Sequence, residues 1–498
     1  MRVRTHKWDK RQKMLEKLAK QTAIYGISTI LGRFLSYLLT PFYTRIFGVE
    51  TYGIITDVYA LIPFALVLLT LGMESGFFRF TAKAEAAGGD IAAAKKRIFT
   101  TMWGTTTLAA AIFFGIVTLF ATECSELMGE AYTVHPEYVV IVAAIVFFDV
   151  AGCIPFSRLR ERGEAPKFVA FKLANIIMQV GFAVGFWAVG LFDSEFGVGW
   201  AFVANLAASV ITTVAVVVSA RAVPKIHFAL LGAMFAYSLP LLISSIAGTA
   251  NEFIDRQLIK YLVPEGAMAQ LGIYGAITKI AVVMTLFTQM YRLAAEPFFL
   301  ANFKKEEFKQ TNAAAMKYYI LASMIIFLVI ALYRDIFALI VGSDFREGIY
   351  ILPVVLGANV LSGVWLNLSF WYKREEKTGY ALWVTLSGLV ASVGAGFLII
   401  PKAGYYGAAW SRFIAEVVMV TVSITLNRIH YPTPYNFKRI AEYIVVALIL
   451  FFVSETIAIE QIAIKYIVNT LILAVYLCYA VRREKIDVVA LVKAMIRR

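Results

Sequence analysis

The chain has 498 residues, 60% of them apolar and 14% aromatic, and a formal net charge of +14 at pH 7. A water-exposed globule of this size does not combine such values, so lipid is expected to be its main solvent. The basic excess lies mostly in short stretches between apolar runs, which points to membrane topology and excludes nucleic acid as the partner.

Apolar runs at 62–71, 139–148, 320–332 and 445–453 sit inside longer weakly polar stretches, and a helix of ~20 residues crosses a bilayer core. The runs are continuous rather than alternating, which selects helices over a closed barrel. The expected fold is an all-α polytopic membrane protein of about 14 transmembrane helices, two pseudo-symmetric six-helix bundles plus two C-terminal helices. A basic cytoplasmic segment, 1–20, is followed by spans at about 21–46, 51–80, 98–122, 137–157, 167–192 and 198–220. These form an N-terminal lobe, 21–220, and a basic linker, 221–228, follows it. The second lobe, 229–428, holds spans at about 229–260, 268–297, 313–333, 347–372, 379–400 and 404–427. Region 429–482 holds two more, at about 438–458 and 462–481, before the basic tail 483–498.

Alternate connections are basic, for example Lys95, Lys96 and Arg97, then Arg158, Arg160 and Arg162, then Arg221 and Lys225, then Lys373, Arg374 and Lys377. These belong in the cytoplasm. The intervening segments 122–137 and 192–197 carry acidic residues and no Lys or Arg, and belong outside. An even number of spans then puts both basic termini in the cytoplasm. The charged opening 2–20 precedes a full-length span rather than a short apolar region, so the first helix reads as an uncleaved insertion signal. The same stretch, from Lys7 to Lys20, reads equally well as a topogenic flank or as a segment lying on the anionic inner leaflet.

The two six-helix sets read as copies. Tyr52-Gly53 opens the second span and Tyr274-Gly275 the eighth, and the same offset of 222 pairs Glu74 with Glu296. Arg160-Glu161 after the fourth span is echoed by Arg374-Glu375 after the tenth. An even-numbered unit repeated in the same orientation implies a pseudo-symmetry axis along the membrane normal and a midplane cavity.

Charges at membrane depth cost at least ~2.5 kcal/mol each, so they face a cavity or a partner. Arg33, Lys279, Arg292 and Arg412 are the candidate donors of a cationic cavity for an anionic headgroup, because guanidinium and ammonium groups suit phosphate. The plainer reading pairs them internally: Arg412 with Glu416, Arg292 with Glu296, Glu74 with Arg79, and Arg256 with Glu252 or Asp255. Arg33 and Lys279 have no acidic residue at helical spacing. Asp149, mid-span, is either a protonatable coupling residue or a counter-charge to Arg33. Prolines at 41, 63, 155, 240, 297 and 353 are candidate hinges.

Enzymatic and metal signatures are missing. There is no GxxxxGK[ST] loop, so direct use of ATP is not expected. Four histidines without an HExxH, and Cys124, Cys153 and Cys478 far apart, suggest neither a metal site nor a disulfide framework. No cofactor is expected beyond a coupling ion, H+ or Na+. The sequon Asn367-Leu368-Ser369 falls within an expected span.

The opening, Gly32-Arg33-Phe34-Leu35-Ser36-Tyr37, then Pro41 to Phe47, Tyr52-Gly53, and Leu71-Gly72-Met73-Glu74-Ser75-Gly76 with Arg79 after it, resembles oligosaccharide flippases of the O-antigen (Wzx) type. These are polysaccharide biosynthesis proteins within the multidrug/oligosaccharidyl-lipid/polysaccharide (MOP) exporter superfamily. The resemblance implies two lobes around a central cavity and a rocking cycle in the bacterial cytoplasmic (inner) membrane. It implies passage of a polyprenyl-pyrophosphate-linked oligosaccharide to the outer leaflet, with the last two helices beside the lipid tail. The partners implied are that cargo, membrane lipids and other polysaccharide-assembly membrane proteins. Two alternatives within the superfamily are a cation-coupled multidrug or metabolite antiporter and a lipid-linked peptidoglycan precursor flippase. A membrane-embedded glycan polymerase would need a long outer loop, which is not found.

Overall fold

The structure, a computed structural model, describes residues 37–300, 305–377, 379–457 and 461–485. Arg33, the segment 1–20, most of the first expected span and nearly all of the basic tail lie outside the described residues. The regular elements among the described residues are all helical, as a lipid solvent requires when every backbone N–H must find its acceptor inside its own segment. Ten described helices are long and apolar enough to cross a membrane, eleven when a bent pair is counted as one span.

The chain falls into two compact units, 1–272 and 273–498. In the first, α1 (Leu39–Ile46) leads to α2 (Val49–Leu69) and α3 (Met73–Ala87), which together make the second span. Then come α4 (Ile91–Leu119), the short α5 (Ala121–Met128) and α6 (Glu130–Thr133), α7 (Glu137–Glu161), α8 (Ala165–Ala188), α9 (Gly199–Ala220) and α10 (Phe228–Leu262). Asp90 starts α4 by accepting the Ala93 N–H at 3.0 Å, satisfying one of the donors that a helix start leaves open. The core of this unit gathers Met73, Phe77, Phe99, Met102, Trp103, Ile154 and Met234. Trp103 is anchored there by its indole N–H, which donates to the Ala151 carbonyl at 2.9 Å.

Helix α11 (Ala267–Ile280) runs from the first unit into the second and is followed, after a 48° bend, by α12 (Val282–Leu300). The second unit continues with α13 (Lys305–Leu332), α14 (Arg334–Ala338), α15 (Leu352–Arg374), α16 (Gly379–His430), α17 (Phe437–Thr456) and α18 (Ile462–Glu484). The 52 residues of α16 contain two helices joined across a non-helical Gly404, in agreement with two expected spans there. Aromatic side chains fill this core, with Phe299 stacked on Phe370 and Trp371 on Tyr431. The two C-terminal helices are tied to the rest of their unit at both ends. Lys317 pairs with Glu484 at one end, and Arg334 with Glu455 (2.9 Å) and Lys465 with Asp335 at the other.

Pro63, Pro155 and Pro240 lie inside helices that continue through them. The described breaks fall elsewhere: at Leu71 and Gly72, both with positive φ, at Ala281 and at Gly404. Gly72 has φ +66°, and a Cβ there would stand 2.5 Å from the Ser238 carbonyl oxygen, so both conformation and space demand glycine.

Close approach also governs Gly363 on α15, where an added Cβ would lie 1.7 Å from the Tyr319 hydroxyl oxygen. Tyr319 is held there by Thr288 (2.8 Å) and by stacking on Phe287. Gly363→Ala is therefore expected to destabilise the protein by about 1–3 kcal/mol through overpacking. A thermal melt in detergent checks this, and an unchanged midpoint would show that Tyr319 can move aside at no cost.

Candidate functional site

Within the first unit, α2, α3, α7, α8 and α9 enclose a cavity of 340 Å³. Its polar wall follows from helical spacing. Asp149, Cys153 and Arg160 share one face of α7, Lys172 and Asn175 one face of α8, and Ser209, Thr212 and Thr213 one face of α9. Glu74, in the first turn of α3, completes it.

Glu74 is the hub of one end. One oxygen accepts from the Arg160 guanidinium at 3.0 Å and from the Ser157 hydroxyl at 3.2 Å, and the other faces the Cys153 thiol at 3.7 Å. The anticipated partner Arg79 instead lies over the Tyr237 ring, 4.0 Å from its centre. Asp149 lies on the cavity wall, which it shares with the Ser209 hydroxyl and the Lys172 ammonium. Lys172 also rests 4.3 Å from the Phe156 ring centre. The Asn175 amide donates to Thr212 at 3.2 Å, and Thr213 donates to the Phe148 carbonyl at 2.9 Å. The wall thus holds two carboxylates, two cations and several hydroxyls. Such a set can exchange a proton or bind a small cation by oxygen ligands, but it presents no net positive surface for a phosphate.

A second cluster lies deeper in the same unit. Asp57 of α2 is fully buried. One of its oxygens pairs with Lys260 of α10 and accepts from the Tyr132 hydroxyl at 2.7 Å, and the other accepts from the Gln257 amide at 2.7 Å. Lys260 lies 4.9 Å from the centre of the Tyr132 ring. Sequence reasoning passed over these residues. A signal was nonetheless present, since the repeat offset of 222 aligns Asp57 with Lys279.

In the second unit Glu296 pairs with Lys373 at 2.7 Å. The repeat is thus visible in its ion pairs: in each unit a glutamate late in the second span of its set meets a cation at the end of the fourth. Arg374, the sequence counterpart of Arg160, stacks over Phe308 at 4.6 Å. Lys279 on α11 and Arg412 and Glu416 on α16 are half-buried, and Arg292 on α12 is exposed. Asp255 is buried and pairs with Arg256 at 3.3 Å. The cavity unites Glu74 and Asp149 from the candidate residues, and none of Lys279, Arg292 and Arg412 lines it. Asn367 and Ser369 are fully buried, so the sequon is out of reach of any glycosyl donor. Among the described residues no three or more His, Cys, Asp or Glu side chains cluster as a metal site.

An all-helical chain with this course has the fold of a class of membrane transporters. It is similar to the lipid II flippase MurJ in an inward closed conformation, with a TM-score of 0.72 at 12% identity, covering 93% of this chain and 100% of that one. An inward-facing multidrug resistance MATE family transporter of the MOP superfamily aligns with a TM-score of 0.63 at 16% identity, over 82% of this chain and 94% of the other. The MATE multidrug transporter DinF-BH gives a TM-score of 0.60 at 15% identity, over 82% of this chain and 95% of the other. Residues 18–303 match the profile of the polysaccharide biosynthesis protein family, and the chain belongs to that family. It is a multi-pass membrane protein of that family. No curated protein matches the sequence.

Proposed function

We propose that the protein moves a polyprenyl-pyrophosphate-linked oligosaccharide from the inner to the outer leaflet of the cytoplasmic membrane by alternating access, for cell-surface polysaccharide assembly. The observation that carries this reading is the union of a polysaccharide biosynthesis family match with a fold also found in a lipid II flippase. The chemistry required is modest. A sugar-pyrophosphate needs a polar route, the polyprenyl tail stays in apolar surroundings, and no bond is made or broken. Lys279, Arg412 and Arg292, with Arg33, are the cations proposed to receive the pyrophosphate. Both termini are assigned to the cytoplasm from the alternation of basic loops.

Asp149 is proposed as the coupling residue, acting on a proton or Na+. It lines a cavity of one unit together with Ser209 and Lys172. Other polysaccharide-assembly membrane proteins would deliver and receive the cargo.

The test is transbilayer movement of a fluorescent polyprenyl-pyrophosphate oligosaccharide in proteoliposomes. The intact chain is expected to move it, and Lys279→Ala and Arg33→Ala are each expected to slow it by roughly tenfold or more, as loss of a charge-assisted phosphate contact implies. No movement by the intact protein, with export of small organic cations in its place, would establish the antiporter reading instead.

A further inference from the structure

We propose that Asp57, Lys260, Gln257 and Tyr132 form a latch that holds one end of α10 against α2, and that it opens once in each transport cycle. The proposal rests on the alternating-access reading above.

The cluster joins three separate stretches of chain. Asp57 lies about two turns into α2, Gln257 and Lys260 are near the end of α10, and Tyr132 is on the short helix α6. Tyr132 falls within the acidic segment 122–137, which contains no Lys or Arg. The charge rule places that segment, and the latch with it, on the outer side.

Along the rest of their length the described contacts between α10 and the second span include no ion pair, and the cation there, Arg79, lies over the Tyr237 ring. Phe64 stacks on Phe253 with ring centres 5.2 Å apart. Further along, Gly72 and Gly76 bring the backbone against Ser238. Those contacts are ring stacking and close backbone packing, whereas the outer end is tied by one ion pair and two further hydrogen bonds. A dry ion pair between side chains 0% and 4% exposed is strong only while water is kept out. Once water enters, each group is solvated and the attraction falls to that of a surface pair. The contact therefore has two self-consistent states, closed and dry or open and wet. Apolar residues of similar volume would hold the helices together at least as well but would have no favourable wet state, and a switch is among the best-attested uses of a buried ion pair.

The experiment uses the full chain in membrane vesicles, with Cys124, Cys153 and Cys478 replaced and a reporter cysteine at the buried position Leu258. A membrane-impermeant maleimide is added from the outer side. Asp57→Asn and Lys260→Met are each expected to raise the labelling rate at least ~tenfold, through a shift of population toward the open state. The charge-reversed double variant Asp57→Lys/Lys260→Asp is expected to return it toward the parent value. Equal labelling of parent and single variants would overturn the latch, as would a double variant no slower than the singles. A second measurement joins cysteines placed at 57 and 260 with a short bis-thiosulfonate linker. Cargo movement should stop on linking and resume on reduction, and unchanged movement in the linked protein would also overturn the proposal. If the unlinked parent moves no cargo at all, the flippase reading fails, while the labelling rates still decide the latch.

Discussion

Lys260→Met is expected to lower stability by about 3–5 kcal/mol, the usual consequence of leaving one partner of a buried ion pair without its counter-charge. Asp57 would remain fully buried among apolar helices, with Tyr132 and Gln257 still donating to it but with no cation to offset its desolvation. Asp57→Leu/Lys260→Met removes both charges, and the double variant should recover most of the loss, because two apolar side chains of similar volume need no desolvation. Thermal denaturation of the purified protein in detergent gives the comparison. If the single variant loses less than about 1 kcal/mol, the pair behaves as a water-exposed one and the site is wetter than the packing indicates. The same outcome would bear on the latch, since a pair that is already wet has no dry state to leave.

Asp149→Asn is expected to reduce cargo movement under an imposed ion gradient by roughly tenfold or more, within the usual range of coupling between two sites. Asparagine keeps the shape of the side chain, but it removes a negative charge from the cavity that Lys172 also lines. Folding should be little affected, because the side chain lines a cavity that gives the amide room. Movement is to be followed with a proton gradient, with a sodium gradient and with neither, so that a coupling role is separated from a general loss of rate. Parent-level movement by the variant under both gradients would remove Asp149 from the coupling role. Glu74→Gln is the informative companion. Glu74 and Arg160 are each nearly half-exposed, and an exposed pair of this kind contributes about 1 kcal/mol or less.

Much of the architecture was legible from residue order alone, and the reason is physical. In lipid each helix must satisfy its own backbone, so a continuous apolar run of sufficient length determines a helix without reference to its neighbours. The runs behind α7, α9 and α13 therefore appear close to where they were expected. The repeat was legible for a related reason, since Glu74 and Glu296 keep equivalent places in equivalent helices. Partner choice was not. Glu74 bonds Arg160, 86 residues away, rather than Arg79 on its own helix, and Asp57 meets Lys260 across 203 residues. Local spacing says which side chains share a face of one helix, but the rotation of that helix, set by its packing against others, decides what the face meets. The sequence by itself determined the helical membrane class, the order of the helices and their internal repeat. Only the tertiary structure decided that Asp149 and Glu74 share one cavity and that Asp57 is locked beneath Lys260, because those contacts depend on how separate helices turn toward one another.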